Sequence, residues 1–217
     1  MYMKSETHLI DCVSFMRRLP DKAYSLAVVD PEFGIGIGNS PRLVTDKGLK
    51  AKAWDNKPIG MDYFSELFRV SEMQIIWGGN YYPLPANKHC IIWDKMQPES
   101  LSFGMFDYAW TSFDGANKIF RYSVQSEQNK IHPTQKPVAL YRWLLRNYAK
   151  HGDTIFDSHM GSQSSRIACH MEGFDFTGCE LDTEYFEQGN QRYELFLKTY
   201  GTADIEKAVP GQQINMF

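Results

Sequence analysis

An α/β fold, with a mostly parallel sheet and helices on both faces, is predicted by three features of the sequence. Apolar stretches of strand length alternate with stretches of helical period from residue 7 to residue 200. The C-terminal third reads strand, glycine-containing turn, helix, strand and acid without a break, as "TIFDSHMGSQSSRIACHMEGFDFTGCELD". A length of 217 residues suits one full-sized domain of this kind and is short for two. We therefore expect one domain over 1–205, and a loose, proline-broken tail over 206–217.

Each element follows from its own residues. "THLIDCVSFMRRL" (7–19) reads as a short strand turning into an amphipathic helix, and "YSLAVVD" (24–30) as a buried strand ending at Asp30. "MDYFSELFRVSEM" (61–73) has helical spacing at Tyr63, Leu67, Phe68 and Met73. Two short apolar strands follow, "QIIWGG" and "CIIWDK", with turn residues between them. Residues 96–131 have weak periodicity, with short strands at "YAWTSF" and "KIFRY". From Pro137 an amphipathic helix runs to about Lys150, with proline at its first turn. Its stripe of Tyr141, Leu144, Leu145 and Tyr148 reads as core. "DTIFD" (153–157) is a strand and "SSRIACHMEG" a helix ending at Gly173. "DFTGCEL" is a strand, and the terminal helix over 183–200 is capped by Thr183.

Composition excludes several classes. The hydrophobic fraction of 43% is that of an ordinary globular protein, and the aromatic fraction of 14% is high, suiting both core and the stacking of flat ligands. A net charge of −3 rules out a chain that is basic throughout, yet residues 88–150 hold nine Lys/Arg against five Asp/Glu. Cys12, Cys90, Cys169 and Cys179 are widely spaced with no CxxC pair, as for reduced thiols, and no metal site is expected. No apolar run approaches membrane-spanning length, so a cytoplasmic protein is expected.

The chemistry concentrates at two strand ends. "VVDPEFGIGIG" (28–38) has glycines at 34, 36 and 38, which miss the 1-3-6 spacing of a dinucleotide loop, and no helix follows them. That shifts attention to "DPEF". At the other end, Asp157 closes a strand, Gly161 lets backbone approach a ligand, and Glu180 ends the next strand, where a carboxylate accepts ribose hydroxyls. Without a phosphate-binding glycine run, this suits adenosine lacking a pyrophosphate, as in S-adenosylmethionine.

These motifs together resemble the amino-methyltransferases of DNA, in the permuted group whose catalytic motif precedes the cofactor motif, and among them the small phage- or prophage-borne members. "DPEF" (30–33) resembles the Asp-Pro-Pro-aromatic tetrad; "HPTQKP" (132–137) with "DTIFDSHMGSQSS" resembles the cofactor region; and "IDC" (10–12) resembles the segment carrying an Asp near the adenine. "WDNKP" and "IIWGGNYY" strengthen the likeness. The resemblance implies a Rossmann-like methyltransferase fold and catalytic residues Asp30, Pro31, Glu32 and Phe33. It implies cofactor contacts from Asp11, Asp30, His132, Gln135, Lys136, Asp157, His159, Gly161, Ser162 and Glu180. Gln135 and Lys136 are expected near the cofactor's carboxylate. Asp30 and the Pro31 carbonyl would accept the hydrogens of an exocyclic amine, and Phe33 would stack on a base flipped from double-stranded DNA. The glycines after Phe33 are expected to form a mobile loop over that base. Residues 96–131 occupy the place of a small target-recognition segment, assisted if need be by a second subunit.

The implied reaction is methylation of adenine N6, the tetrad beginning with Asp. The alternatives are cytosine N4, or a weak or inactive relative that only binds DNA or cofactor. Two departures bear on this. Glu32 stands where the tetrad has its second proline, and Gln163 where the cofactor turn has its second glycine, set either to bond the ligand or to obstruct it. The tail residues Gln213–Phe217, "QINMF", resemble peptides that dock on sliding clamps.

Overall fold

The computed structural model describes residues 3–36, 55–100, 104–126, 130–132 and 134–200. Eight strands form one sheet: β1 (Ser5–Leu9), β2 (Tyr24–Val29), β3 (Ser71–Trp77), β4 (Cys90–Asp94), β5 (Phe106–Thr111), β6 (Lys118–Arg121), β7 (Thr154–Asp157) and β8 (Asp175–Glu180). Their order is β1-β8-β7-β2-β3-β5-β4-β6. Every pairing is parallel except those of β5, which runs antiparallel to β3 and β4. The α/β class read from the sequence is what the chain adopts.

The helices are α1 (Cys12–Met16), α2 (Met61–Val70), α3 (Val138–Tyr148), α4 (Ser164–Glu172) and α5 (Thr183–Tyr200). Alternation within the central strands sends side chains to two cores, as a period of two requires. Leu26, Val28, Ile75 and Trp77 pack with Leu140, Leu144, Ile167 and Phe196 of α3, α4 and α5. Ala27, Val29 and Ile76 pack with Met16, Tyr63, Phe64 and Leu67 of α1 and α2. Helices thus cover both faces, and the α3 stripe is core, although Tyr148 is only half-buried.

Two boundaries move. The α2 helix stops at Val70 rather than Met73, because Ser71 is already extended (φ −125°) and its hydroxyl donates to the Leu67 carbonyl at 2.6 Å. The α5 cap is Asp182 rather than Thr183: its carboxylate accepts from the Tyr185 amide at 3.0 Å. The tail over 206–217, including Gln213–Phe217, lies outside the described residues.

Candidate active site

The parallel strands β2 and β7 lie side by side and end at Asp30 and Asp157, so two turns emerge together at the carboxyl edge of the sheet. Ligands bind at this edge in open α/β sheets. A cavity of about 300 Å³ opens there, lined among others by Asp30, Pro31, Glu32, Phe33, Asp55, His132, Gln135, Lys136, His159, Gly161, Ser162, Glu180 and Tyr185.

The first turn carries the tetrad. Asp30 is largely buried, its side chain 16% exposed; Lys136 donates to its Oδ2 at 2.5 Å, while Oδ1 has no hydrogen-bond partner. Burial pushes the Asp30 carboxyl above its ordinary value, and the Lys136 ammonium pulls against that shift. Lys136 is 3% exposed; it reaches Asp107 at 3.9 Å, and Asp107 in turn pairs with Lys95 at 2.7 Å. Charge therefore alternates from Asp30 through Lys136 and Asp107 to Lys95. The Lys136–Asp30 contact joins residues 106 apart, and nothing in "HPTQKP" announced it.

Support for this turn comes from far along the chain. The Tyr82 hydroxyl donates to the Pro31 carbonyl at 2.9 Å and lies 3.1 Å from that of Glu32. The Asp55 carboxylate accepts from the Gly34 amide at 2.8 Å, and its carbonyl accepts from the Gly36 amide at 2.8 Å. Phe33 bridges to Pro58, and a Cβ on Gly34, whose φ is +75°, would fall 2.4 Å from the Pro58 ring. Asp55 thus holds both Gly34 and Gly36, and Gly34 serves a close approach of two backbones. Gly38, and with it the rest of the loop expected over the base, lies outside the described residues. Phe33 stacks on Tyr81, ring centroids 5.0 Å apart.

The carboxylates of the second turn are held from close by. Asp157 sits beneath the cavity and does not line it: its oxygens accept from the His159 amide at 3.1 Å and the Ser165 hydroxyl at 2.6 Å. Burial pushes its carboxyl up to about 6, against those hydrogen bonds. Glu180 accepts from the Gly161 amide at 3.0 Å and from the Leu181 and Asp182 amides at 2.8 Å each. A carboxylate offers about four acceptor positions, so about one is left open on Glu180. Burial raises the Glu180 carboxyl, with those amides opposing.

His132 stacks edge-on to Tyr185, centroids 4.3 Å apart, and Gln135 accepts from the Ile131 amide at 3.2 Å. Ser162 lies 3.2 Å from the Ser164 hydroxyl. Asp11 does not join them: exposed, it caps α1 by accepting from the Ser14 amide at 2.8 Å, and it is absent from the cavity wall. Gln163 neither bonds nor obstructs a ligand there. Its side chain turns into the α4–α5 interface, against Gly189, and meets Asn190 at 3.1 Å and Arg166 at 2.9 Å. Sequence reading also missed Asp55, Tyr82 and Tyr185. The first two lie within or beside "WDNKP" and "GGNYY", which drew notice only as likenesses.

The four cysteines are free, no cluster able to hold a metal occurs among the described residues, and none of their helices is long and apolar enough to cross a membrane.

Fold and cavity define an α/β protein of the methyltransferase type, with two carboxylate-bearing turns meeting at one sheet edge. A family model for DNA methylases, covering the N6 and N4 amino-methylases, matches residues 49–191, and the chain belongs to that family. It is 28% identical to the type II methyltransferase M.HpaI of Haemophilus parainfluenzae over 89% of this chain and 76% of that one. It is 32% identical to the DNA adenine methyltransferase YhdJ of Escherichia coli, over 35% of this chain but only a quarter (25%) of YhdJ. Among solved structures, the protein TTHA0409 of Thermus thermophilus, in complex with S-adenosyl-L-methionine, superposes with a TM-score of 0.56 at 16% identity, covering 96% of both chains.

Proposed function

We propose that this chain transfers a methyl group from S-adenosyl-L-methionine to the exocyclic N6 amine of adenine in a short DNA sequence. The observation that carries the reading is Asp30: a carboxylate at a strand end, one oxygen held by Lys136 and the other without a partner, in the wall of the cavity. An exocyclic amine is a poor nucleophile because its lone pair is delocalised into the ring. Asp30 Oδ1 and the Pro31 carbonyl are two acceptors for its hydrogens, and drawing on them returns electron density to the nitrogen. Asp30 then takes the proton that the methylated amine must lose, the reaction needing general-base help of this kind. Phe33 supplies the stacking face for the flipped base.

The cavity fits the cofactor. Its wall carries Asp30, Asp55, Glu180 and Asp182 against Lys136 and His132, Glu32 being paired with His159, an acidic excess suited to a cationic ligand. Bound there, S-adenosyl-L-methionine supplies a methyl group on a positively charged sulfur, which leaves as a neutral thioether. Glu180, Gly161, Ser162, Gln135 and His132 are the residues proposed to hold it. The order of the motifs, tetrad before cofactor turn, supports the permuted arrangement, and 96–131 is the proposed target-recognition segment of a single domain.

Transfer of labelled methyl to unmethylated bacterial DNA, followed by digestion, tests the reading. Label on N6-methyladenine is expected, falling about 10²–10⁴-fold in Asp30→Ala, the usual range for loss of a general base. Label on N4-methylcytosine would keep the role of Asp30 and overturn the choice of base, which the family model leaves open. No label, with cofactor still bound in calorimetry, would make the chain a binding protein.

A further inference from the structure

His159 and Glu32 each occupy one of the two turns, and they meet. His159 Nε2 lies 3.3 Å from Glu32 Oε2, with the two side chains 16% and 25% exposed. The imidazole is held from its other side: Nδ1 lies 2.8 Å from the Ser158 hydroxyl, which lies 2.6 Å from the Tyr63 hydroxyl of α2. Tyr63 also sets its ring edge-on to the imidazole, centroids 5.3 Å apart, and the Cys12 sulfur of α1 lies 3.7 Å from Nε2. The carboxylates of Asp30, Asp157 and Glu180 act on His159 at longer range. Glu32 faces His159 on one side and the tyrosine that holds its carbonyl, Tyr82, on the other.

Each member favours the charged form of the other. Burial opposes charge on His159, but Glu32 and Cys12 outweigh it and hold the imidazolium well above the ordinary range. Burial likewise opposes charge on Glu32, and His159 outweighs it, holding the carboxyl below its ordinary value. A residue after Pro31 that is not proline leaves φ unrestrained. Here the chain of contacts from α2 through Ser158 and His159 ends on that residue.

We propose that Glu32 and His159 form a charged clasp that positions the catalytic turn against the cofactor turn. The proposal rests on the methyl-transfer reading above, in which the cavity between the turns must hold donor and base in line. His159 and Glu32 are positioning residues in it, acting through the backbone of Asp30 and Pro31. The pair exists between two limits. It is lost as pH rises through the raised midpoint of His159, and lost as pH falls through the lowered midpoint of Glu32.

Two measurements test it. The first needs no catalysis: the full-length protein carrying ¹³C-labelled histidine is titrated by NMR, with the His159 signal assigned by its loss in His159→Phe. A midpoint above the ordinary imidazole range, falling toward that range in the near-isosteric Glu32→Gln, is expected. A midpoint unmoved by that substitution overturns the clasp. The second is kinetic. In Glu32→Gln, kcat is expected to fall roughly ten- to hundredfold, the scale of a small misplacement of reacting groups. Cofactor affinity in calorimetry should stay within about twofold, since Glu32 is not among the groups proposed to hold it. The alkaline limb of the wild-type rate profile should vanish in His159→Phe. The double variant E32P/H159F, which restores backbone restriction, should recover much of the loss. A double variant no better than either single one overturns the positioning role. No methyl transfer by the wild-type protein overturns the functional reading and the positioning role with it, whatever the titration finds.

Discussion

The turn after β2 and the turn after β7 end neighbouring parallel strands and face one cavity, yet they are built differently. The turn at Asp157 has its carboxylate held from close by, by the His159 amide and the Ser165 hydroxyl, with Glu180 on the adjacent strand. Its Ser158 and His159 side chains reach a distant element, Tyr63 of α2. The turn at Asp30 is held by Lys136, Tyr82 and Asp55, which lie 106, 51 and 21 residues from the atoms they bind. A turn held mostly from close by is largely set once its strand and helix form. One supported from a distance is set only when the whole sheet has assembled, and its geometry inherits the tolerance of three separate contacts.

The largest break in that contrast is expected at Lys136. Its ammonium is the buried partner of a largely buried carboxylate, and removing one member of such a pair costs about 3–5 kcal/mol. Lys136→Met should therefore lower the melting temperature markedly. Burial already raises the Asp30 carboxyl and Lys136 opposes the rise, so without the lysine it climbs further. A reaction needing Asp30 ionised should then show its acid limb moved to higher pH, with part of the lost rate recovered there. A rate profile of unchanged shape would mean that the lysine acts on folding alone.

At the other turn the effect is expected to be smaller and of opposite sense. Asp157 titrates at about 6 in the folded protein against an ordinary value of 3.8, both oxygens being buried. Between those values the folded state binds more protons than the unfolded one, so stability falls as pH rises through the window. The span corresponds to about 3 kcal/mol. Asp157→Asn keeps an acceptor for the His159 amide and gives a donor to Ser165, and should flatten the slope of melting temperature between pH 4 and pH 6, a window set by that shift. An unchanged slope would place the proton elsewhere. Tyr82→Phe tests the first turn again: it leaves the Pro31 and Glu32 carbonyls without their hydroxyl, a loss of about 1–3 kcal/mol. Because those carbonyls belong to the tetrad, kcat should fall more than cofactor affinity does.

The same contrast explains what could be read from the sequence. The strand–helix alternation, the sheet and the Gly161–Glu180 pairing are properties of contiguous segments, and periodicity or spacing exposes them; the tetrad at a strand end is legible through its family resemblance. Lys136 upon Asp30, Tyr82 beneath Pro31, and Asp55 against Gly34 are contacts between segments, and no local pattern carries them. Asp11 shows the converse ambiguity. Its place before α1 suited both a ligand and a helix cap, and short polar residues at that position cap helices for purely local reasons. The antiparallel β5 was equally hidden, since direction within a sheet is a property of the connections and not of "FDYAWT" itself.

Gln163 makes the finest test of the comparison, because it is where the second turn departs from glycine. Its φ of +59° lies in the left-handed region, which costs a residue with a side chain about 1 kcal/mol relative to glycine. Against that, the side chain is fully buried, packs on Gly189, and bonds Asn190 and Arg166. Gln163→Gly relieves the backbone but removes the packing, and it takes a partner from Arg166, which keeps its bonds to Asn190 and Ser5. The two effects are of similar size and opposite sign, so stability should change by no more than about 1 kcal/mol. Cofactor affinity should be unchanged, since the side chain is turned away from the cavity. A large loss of affinity would mean that α5 is held in place through Gln163, and that the second turn depends on α5 as well as on Tyr63 of α2.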